Sequence, residues 1–568
     1  MTSKTNNKYL HSFFLIGLAS LILCLPQIIS GKMILGSDSI FHFNRFYDTS
    51  QQFKNLDFHY FISLYGFQES GRIVNALYGP FFAYFQGILV LISRNWFIYQ
   101  LFSNFCLYNL AGFSMYIFLT KAKLERKYTL IGAILYLSTY SIQYWIIRQG
   151  FTSWGAALLP LALSILFKFY QTKKIPKWYL GILTALVSQI HMLSVFILIL
   201  MYIPFFIYIF LKNNKKIVFL KDLFIEICLF FCLTLNIWGS YFIVLKGNRL
   251  IPPSVNINMS LNTINQNSYY WLLNPAILFF MLVAIYHIFF LKWKRINNAE
   301  IKIWFWVMTA FLVLSSSLIP WSYLVKIKNP FAELIQYPFR FFVPVSIIII
   351  YLFLKLVQSK QLLIYHKKML LISFLALSLL QTLTLVAITT NNWDSSSNFM
   401  PSKYKVHFLS DSANIKKSFY DANKEKALNM VAKGTPDYLP LYGEKDENIN
   451  YYDMYLEKIA YQKKIKKSIK DGKLIIEWTA NADKEVELPI IVYKNTILEI
   501  NEKIIPHDQI SLSQIGTPKI SQIPYKENRI TLSYKIPREF TIFLVITFLT
   551  WLLIVVILLK KMIICLRS

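Results

Sequence analysis

Acidic residues are scarce in this chain. There are 29 Asp and Glu against 59 Lys and Arg, for a net charge of +30, and about 19 of those acids fall within 389–535. The remainder therefore carries nearly all of the positive excess as short basic connections. A pI near 9.6 would suit nucleic acid, but basic loops lying against anionic lipid on one side of a membrane account for it better. No nucleic-acid partner is expected. Cysteine is also sparse: Cys24, Cys106, Cys228, Cys232 and Cys565 sit in or beside apolar runs, and 389–535 has none. That excludes a disulfide framework and a zinc-type cluster. The pair Cys228 and Cys232, one helical turn apart, reads as packing. There is no glycine-rich phosphate loop, HExxH, GxSxG or CxxC, so ATP-driven transport and zinc proteolysis have no support. No internal repeat and no low-complexity tract is visible.

Apolar sequence is what the chain has in abundance. Apolar residues make up 55% and aromatic residues 17% of the total, and the mean hydropathy is +0.44. Apolar runs of about 18 residues or more recur from end to end, the mark of a polytopic membrane protein rather than a soluble one. Lys4 and Lys8 precede the first run in the manner of a signal peptide. Ser30-Gly31-Lys32 is a poor cleavage site, so an uncleaved first transmembrane helix is expected.

Spans are expected near 10–30, 97–119, 128–147, 152–170, 178–194, 195–211, 219–245, 270–291, 301–320, 339–358, 369–388 and 538–560. Tyr78–Ser93 is apolar but short and reads as a short or re-entrant helix, giving about 12 or 13 transmembrane helices. The basic connections Lys121–Lys127, Lys173–Lys177, Lys212–Lys221, Lys292–Lys302 and Lys360–Lys368 then fall on the cytoplasmic side, with both termini. The segments 31–78, 252–268 and 389–535 fall outside. The expected organisation is a transmembrane domain over 1–388 with its exterior first loop 31–78, an extracytoplasmic α+β domain over 389–535, and a last helix with a basic tail over 536–568. Within 389–535, helices are expected around 411–430 and 452–470. Strands are expected at Leu474–Trp478, Val486–Tyr493, Ile497–Ile500 and Ile530–Tyr534, with turns at Asp471-Gly472 and Gly516-Thr517-Pro518.

Chemistry in such a chain belongs to the polar residues at its membrane surfaces. Immediately after the first apolar run comes Gly36-Ser37-Asp38-Ser39-Ile40-Phe41-His42-Phe43-Asn44-Arg45. As a helix it would place Asp38, His42 and Arg45 on one face. Asp38 could act as a general base, bind a metal, or cap the helix with Ser37; His42 alone reads more readily as a satisfied hydrogen-bonding residue. The segment runs on to Asp48, Asp57, His59, Glu69 and Arg72. Farther along, Gln336-Tyr337-Pro338-Phe339-Arg340 stands at the entrance of a span. Arg340 there either snorkels to headgroups or binds a phosphate with its planar fork, and Pro338 fixes its presentation. Arg148 ends another span. Ser188, Gln189 and His191 interrupt an apolar stretch, where an ionisable residue faces a cavity or a partner helix.

These motifs, in this order, resemble a family. GSDSIFHFNR is similar to the G-G-D-x-x-F-H-x-x-R opening of bacterial YfhO-type proteins, of the GT-C superfamily of polyprenyl-phosphate-dependent membrane glycosyltransferases. Tyr65-Gly66 and Leu77-Tyr78-Gly79-Pro80 resemble its Gly/Tyr-rich stretch, and IQYPFRF (335–341) its F-P-W-R-F element. Ser188-Gln189-Ile190-His191 resembles its Ser/Thr-His position, Asp437-Tyr438-Leu439-Pro440 its (D/E)-Y-L-P, and Leu488-Pro489-Ile490…Tyr493 its L-P-x-x-Y. Where the family often has Arg-Gly-Ala-x-x-Glu, this chain has Arg148-Gln149-Gly150-Phe151-Thr152-Ser153 and lacks the acid. The resemblance implies a GT-C-like polytopic all-α fold with a small exterior α+β domain before the last helix.

It also implies an enzyme of the cell membrane that moves a sugar from an undecaprenyl-phosphate donor to a cell-envelope glycan or teichoic-acid acceptor. Asp38 would be the base, with His42, Arg45, Arg72, Arg148, His191, Gln336 and Arg340 as substrate-binding residues. A divalent metal, Mg or Mn, would need a second acid, for which Asp48, Asp57 or Glu69 would have to serve. A carrier of lipid-linked saccharides and a catalytically degenerate GT-C partner protein are the alternatives. A carrier would be expected to show paired repeats and midplane polar pairs; here the acids cluster at one face.

Overall fold

The computed structural model describes residues 2–266, 275–292, 294, 296, 298–359, 366–401, 405–444, 446, 449–462, 465–480 and 485–567. The chain is a mostly helical membrane protein with a small β-rich portion before its last helix. Among the described residues seven helices are long and apolar enough to cross a membrane: Tyr9–Ser30, Trp96–Lys121, Thr152–Thr172, Met192–Lys212, Pro338–Gln358, Lys367–Asn391 and Arg538–Lys561.

The other expected spans take different forms. The stretch 128–147 is broken into Arg126–Leu137 and Tyr140–Arg148. Gln143 donates to the Leu137 carbonyl at 2.7 Å and so satisfies one of the orphan acceptors left at that break. Helices Tyr179–Ile190 and Met192–Lys212 meet at His191 rather than at 194, because His191 is extended (φ −153, ψ 107). The stretch 219–245 belongs to helix Lys216–Gly247, which carries Lys221, Asp222 and Glu226. The stretch 301–320 ends early, at Leu314 of helix Ala299–Leu314. Helix Pro80–Ile92, at 13 residues, reaches about 20 Å, short of a hydrocarbon core of about 30 Å. Residues 270–274 of one expected span, and 293, 295, 297 and 360–365 of two basic connections, lie outside the described residues.

Contacts divide the chain into two compact units. One comprises Met1–Leu35, Gln100–Leu229 and Val255–Ser395; the other comprises Gly36–Tyr99, Phe230–Ser254 and Ser396–Ser568. At the centre of the first lies Phe342–Gln358, largely apolar and buried over nearly its whole length, as expected for a helix hydrophobic nearly all round. Its Tyr351 packs in a cluster with Phe118, Phe167 and Trp304, ring to ring at 5.0–5.9 Å.

The second unit joins the segment after the first span to the β-rich portion. Its five-stranded antiparallel sheet has the order Lys466–Lys470, Lys473–Thr479, Glu527–Tyr534, Thr496–Ile500, Lys503–Ile505. Alternation along the strands turns Leu474, Ile476, Leu498, Ile530 and Leu532 inward, onto Phe61, Ile62, Leu64 and Ile73.

Three expectations fail here. Residues 466–470 form a strand rather than the end of a helix, because Asp471 and Gly472 (φ 50 and 73) make a two-residue turn that folds them onto 473–479. The strand at 486–493 stops at Glu487. Pro489 has no amide hydrogen for a ladder, and the buried run after it bonds elsewhere: Ile491 N–H to the Ser70 carbonyl at 2.8 Å and Val492 N–H to that of Gly516 at 2.9 Å. The expected helix 411–430 is two short ones, Ser412–Ser418 and Glu425–Met430.

Candidate functional site

Asp38 is the residue before helix Ser39–Asn55. It holds the N-cap position, yet its side chain makes no capping hydrogen bond. The local turn is closed instead by Ser39, whose hydroxyl accepts from the Gly36 N–H at 2.7 Å and donates to the Gly36 carbonyl at 3.1 Å. The carboxylate is 41% exposed and faces the Lys433 ammonium, 3.3 Å from its Oδ1. Lys433 also donates to the Ser37 carbonyl. The capping reading of Asp38 is thus replaced by an ion pair with a residue that the spacing of motifs does not reveal.

Asp437 is a second acid of this neighbourhood. Its Oδ1 is shielded from solvent and accepts no hydrogen bond. Burial pushes its carboxyl up to about 6; the nearby Arg72 and Lys433 cations oppose that rise, and the charge of Asp38 adds to it. Arg72 is fully buried. It donates to the Asp437 main-chain carbonyl and lies 5.2 Å over both the Phe67 and Tyr455 rings. Its Nε and Nη1 have no acceptor in hydrogen-bonding geometry.

Arg45 and His42 have other tasks. Arg45 is completely buried. It donates to Asn75 Oδ1 at 3.0 Å and to the Tyr78 carbonyl, meets His42 Nδ1 at 3.2 Å, and lies 4.4 Å over the Tyr78 ring. His42 is stacked between Phe46 and Tyr78. This geometry gives the two residues the job of fastening the helix to the loop that follows it. Asp38, by contrast, faces Lys433.

The turn that carries Arg72 is unusual. Phe67, Gln68 and Glu69 are consecutive left-handed residues (φ 55, 57 and 52), a conformation costly outside glycine. Surrounding groups hold it. Asn44 accepts from the Phe67 N–H at 2.6 Å, and Tyr455 donates to the Phe67 carbonyl at 3.3 Å. The Lys467 ammonium donates to the Gln68, Glu69 and Pro489 carbonyls at 2.7, 3.2 and 2.9 Å. Gly66 is needed just before it, since an added Cβ would lie 2.5 Å from the Asn44 carbonyl oxygen. Several of the family-like motifs thus serve as fastenings. Tyr493, for example, accepts from the Ile73 N–H at 3.1 Å.

The remaining candidates belong to the first unit. Arg340 lies in the tight turn Pro338–Phe341. It donates to the Ile335 carbonyl at 2.8 Å and to Gln336 Oε1 at 3.2 Å, with its guanidinium 5.0 Å over the Tyr337 ring. Its Nε is buried without an acceptor. Gln336 is held through its carbonyl by Asn256 at 2.8 Å. His191, at the break between two helices, meets the Ser194 hydroxyl at 2.9 Å through Nδ1 and packs edge-on against Phe151. Arg148 ends helix Tyr140–Arg148, where a cation suits the helix dipole.

The acids proposed for a metal are engaged elsewhere. Asp48 accepts from the Tyr65 N–H at 3.0 Å and from Gln52 at 2.9 Å, and burial raises its carboxyl to about 6. Asp57 pairs with His59 at 2.6 Å. Among the described residues no group of three or more His, Cys, Asp or Glu is placed to hold a metal ion. The neighbour of Asp38 is an ammonium, so this donor set does not fit a resident Mg or Mn ion.

No protein-family model matches the chain, and no curated protein matches it. Among solved structures it is similar to the oligosaccharyltransferase of Archaeoglobus fulgidus, both in the apo form and tethered to an acceptor peptide containing the NVT sequon. The identity is 15% and the TM-score 0.40, over 67% of this chain. The match covers 56% and 57% of those two chains, so this protein spans little more than half of their length. A likeness at that level carries no inference about activity, and the functional reading rests on the chain's own residues.

Proposed function

We propose that this protein is a membrane glycosyltransferase of GT-C type, which takes a sugar from an undecaprenyl-phosphate donor and passes it to a cell-envelope acceptor on the outer face. The observation that carries the reading is the Asp38 carboxylate: at a helix start, exposed, and not used as a cap. The ordered motifs that resemble YfhO-type proteins support it, and the distribution of basic connections supports the orientation. Asp38 takes the acceptor hydroxyl proton as the oxygen attacks the anomeric carbon in line. The bond from that carbon to the phosphate oxygen breaks, its electron pair stays on the phosphate, and the sugar is inverted. Arg340, with an unspent Nε, is proposed as a phosphate-binding arginine on the same resemblance.

The pairing of Asp38 with Lys433 also favours a second reading, a partner protein that binds the lipid-linked sugar without turning it over. Comparing envelope glycans of cells carrying the natural chain and the Asp38→Asn variant, at equal membrane abundance, separates the two. Loss of transfer in the folded variant is expected; full transfer overturns the assignment of Asp38.

A further inference from the structure

Lys433 is the cation that faces Asp38. It ends strand Val431–Lys433, opposite Val406 of its partner strand. The glycine after it, Gly434, is tightly enclosed, since an added Cβ would lie 3.1 Å from the Tyr452 carbonyl oxygen. The backbone is therefore fixed, and with it the point from which the lysine side chain departs. Its side chain is only 13% exposed, and its ammonium arrives at the N-terminus of the 17-residue helix Ser39–Asn55.

That is the wrong end of a helix for a cation, because the dipole and the unpaired N–H groups already make it positive. Asp38 and the Ser37 carbonyl offset the charge, but with Asp38 41% exposed the ion pair is of the weak, solvent-screened kind. Close by, Arg72 is fully buried and holds Nε and Nη1 without acceptors, while its Nη2 fixes the Asp437 carbonyl. The neighbourhood thus sets a helix N-terminus, an ammonium and a guanidinium beside the Asp38 and Asp437 carboxylates. Arg72 Nε and Nη1 remain without acceptors there, which suits a ligand with anionic oxygens.

We propose that Lys433 is a substrate-binding cation, whose ammonium moves from Asp38 to the phosphate of the polyprenyl-phosphate donor. The inference rests on the glycosyltransferase reading and adds a residue and an order of events to it. Without donor, Lys433 neutralises Asp38. With donor bound, the phosphate takes the ammonium and Asp38 is released as a base. When the sugar–phosphate bond breaks, the phosphate gains one negative charge, which Lys433 meets, and the acceptor proton passes to Asp38.

The test is binding of decaprenyl phosphate to the full-length protein in detergent, with decaprenol and inorganic phosphate as companion probes. Lys433→Gln is expected to weaken decaprenyl phosphate by about tenfold or more, and Lys433→Arg by much less. Asp38→Asn is expected to tighten it several-fold, because the carboxylate that competes for the ammonium is gone. The double variant should bind like Lys433→Gln. Decaprenol should not bind, and inorganic phosphate should bind weakly with the same dependence on Lys433. A merely structural lysine would let both single variants weaken binding together. If Lys433→Gln does not fold, the sign of the Asp38→Asn effect decides: unchanged or weaker binding overturns the proposal. Natural protein that binds but is insensitive to Lys433→Gln overturns this inference alone. Natural protein that binds no decaprenyl phosphate overturns the donor assignment as well.

Discussion

The hydroxyl of Tyr493 donates to the main-chain carbonyl of Tyr438 at 3.1 Å, and in the same position it accepts from the Ile73 N–H. Two motifs and the segment after the first span thus meet at one oxygen.

Removing that oxygen with Tyr493→Phe leaves a buried N–H and a buried carbonyl unpaired. The expected loss is about 1–3 kcal/mol, seen as a lower unfolding temperature in detergent. An unchanged midpoint would mean that water replaces the hydroxyl.

Gly66→Ala tests steric necessity in isolation. Gly66 is in an ordinary extended conformation (φ −105, ψ 177), so backbone preference adds nothing. The whole effect would come from the 2.5 Å approach to the Asn44 carbonyl. A loss of about 1–3 kcal/mol is expected, together with faster proteolysis near residues 66–72.

Arg45→Lys keeps the charge but loses the fork that reaches Asn75 and Tyr78 together. A decrease in stability of about 2 kcal/mol or more is expected. At a temperature where the variant remains folded, donor affinity should be unchanged. A selective loss of affinity at full stability would return Arg45 to the binding site.

The carboxyl of Asp437, raised to about 6, gives a pH dependence of known sign. A raised carboxyl holds its proton more tightly in the folded state. Stability from this group therefore grows as pH falls through about 6 towards its unfolded value, and the cost of the buried charge is fully present above 6. Asp48, raised in the same direction, adds to this. Asp437→Asn should then raise the unfolding temperature at pH 7.5, by up to about 3 kcal/mol in stability, and by about half as much at pH 5. Equal shifts at both pH values would show that the carboxyl is not perturbed by burial.

Membrane character, the long spans and the β-rich portion before the last helix are all legible in the sequence, because hydropathy and alternation are local signals. The break at Ser138 is not, since it interrupts an apolar run; the break near His191 is legible, and only its position differs by three residues. The strand at 466–470 is hidden because a lysine-rich segment has no pattern of its own; only the following Asp-Gly turn assigns it. In the candidate site, the place of Asp38 directly after the first span is legible in the sequence. Lys433 is not, because its meaning comes from a residue 395 positions earlier. His42 and Arg45 share a helical spacing with Asp38, which predicts a common face. Spacing sets which residues share a face but not which of them are buried, and these two are.

The fastenings of the left-handed turn have a consequence for how the protein is made. Phe67, Gln68 and Ser70 wait for Tyr455, Lys467 and Ile491, and Ile73 waits for Tyr493, 420 residues later. At ordinary rates of synthesis that is a delay of roughly 20–80 s. Through that interval the segment bearing Asp38 is already made while its clamps are not. A nascent or truncated chain can therefore occupy the membrane before the Lys433 ammonium reaches the Asp38 carboxylate.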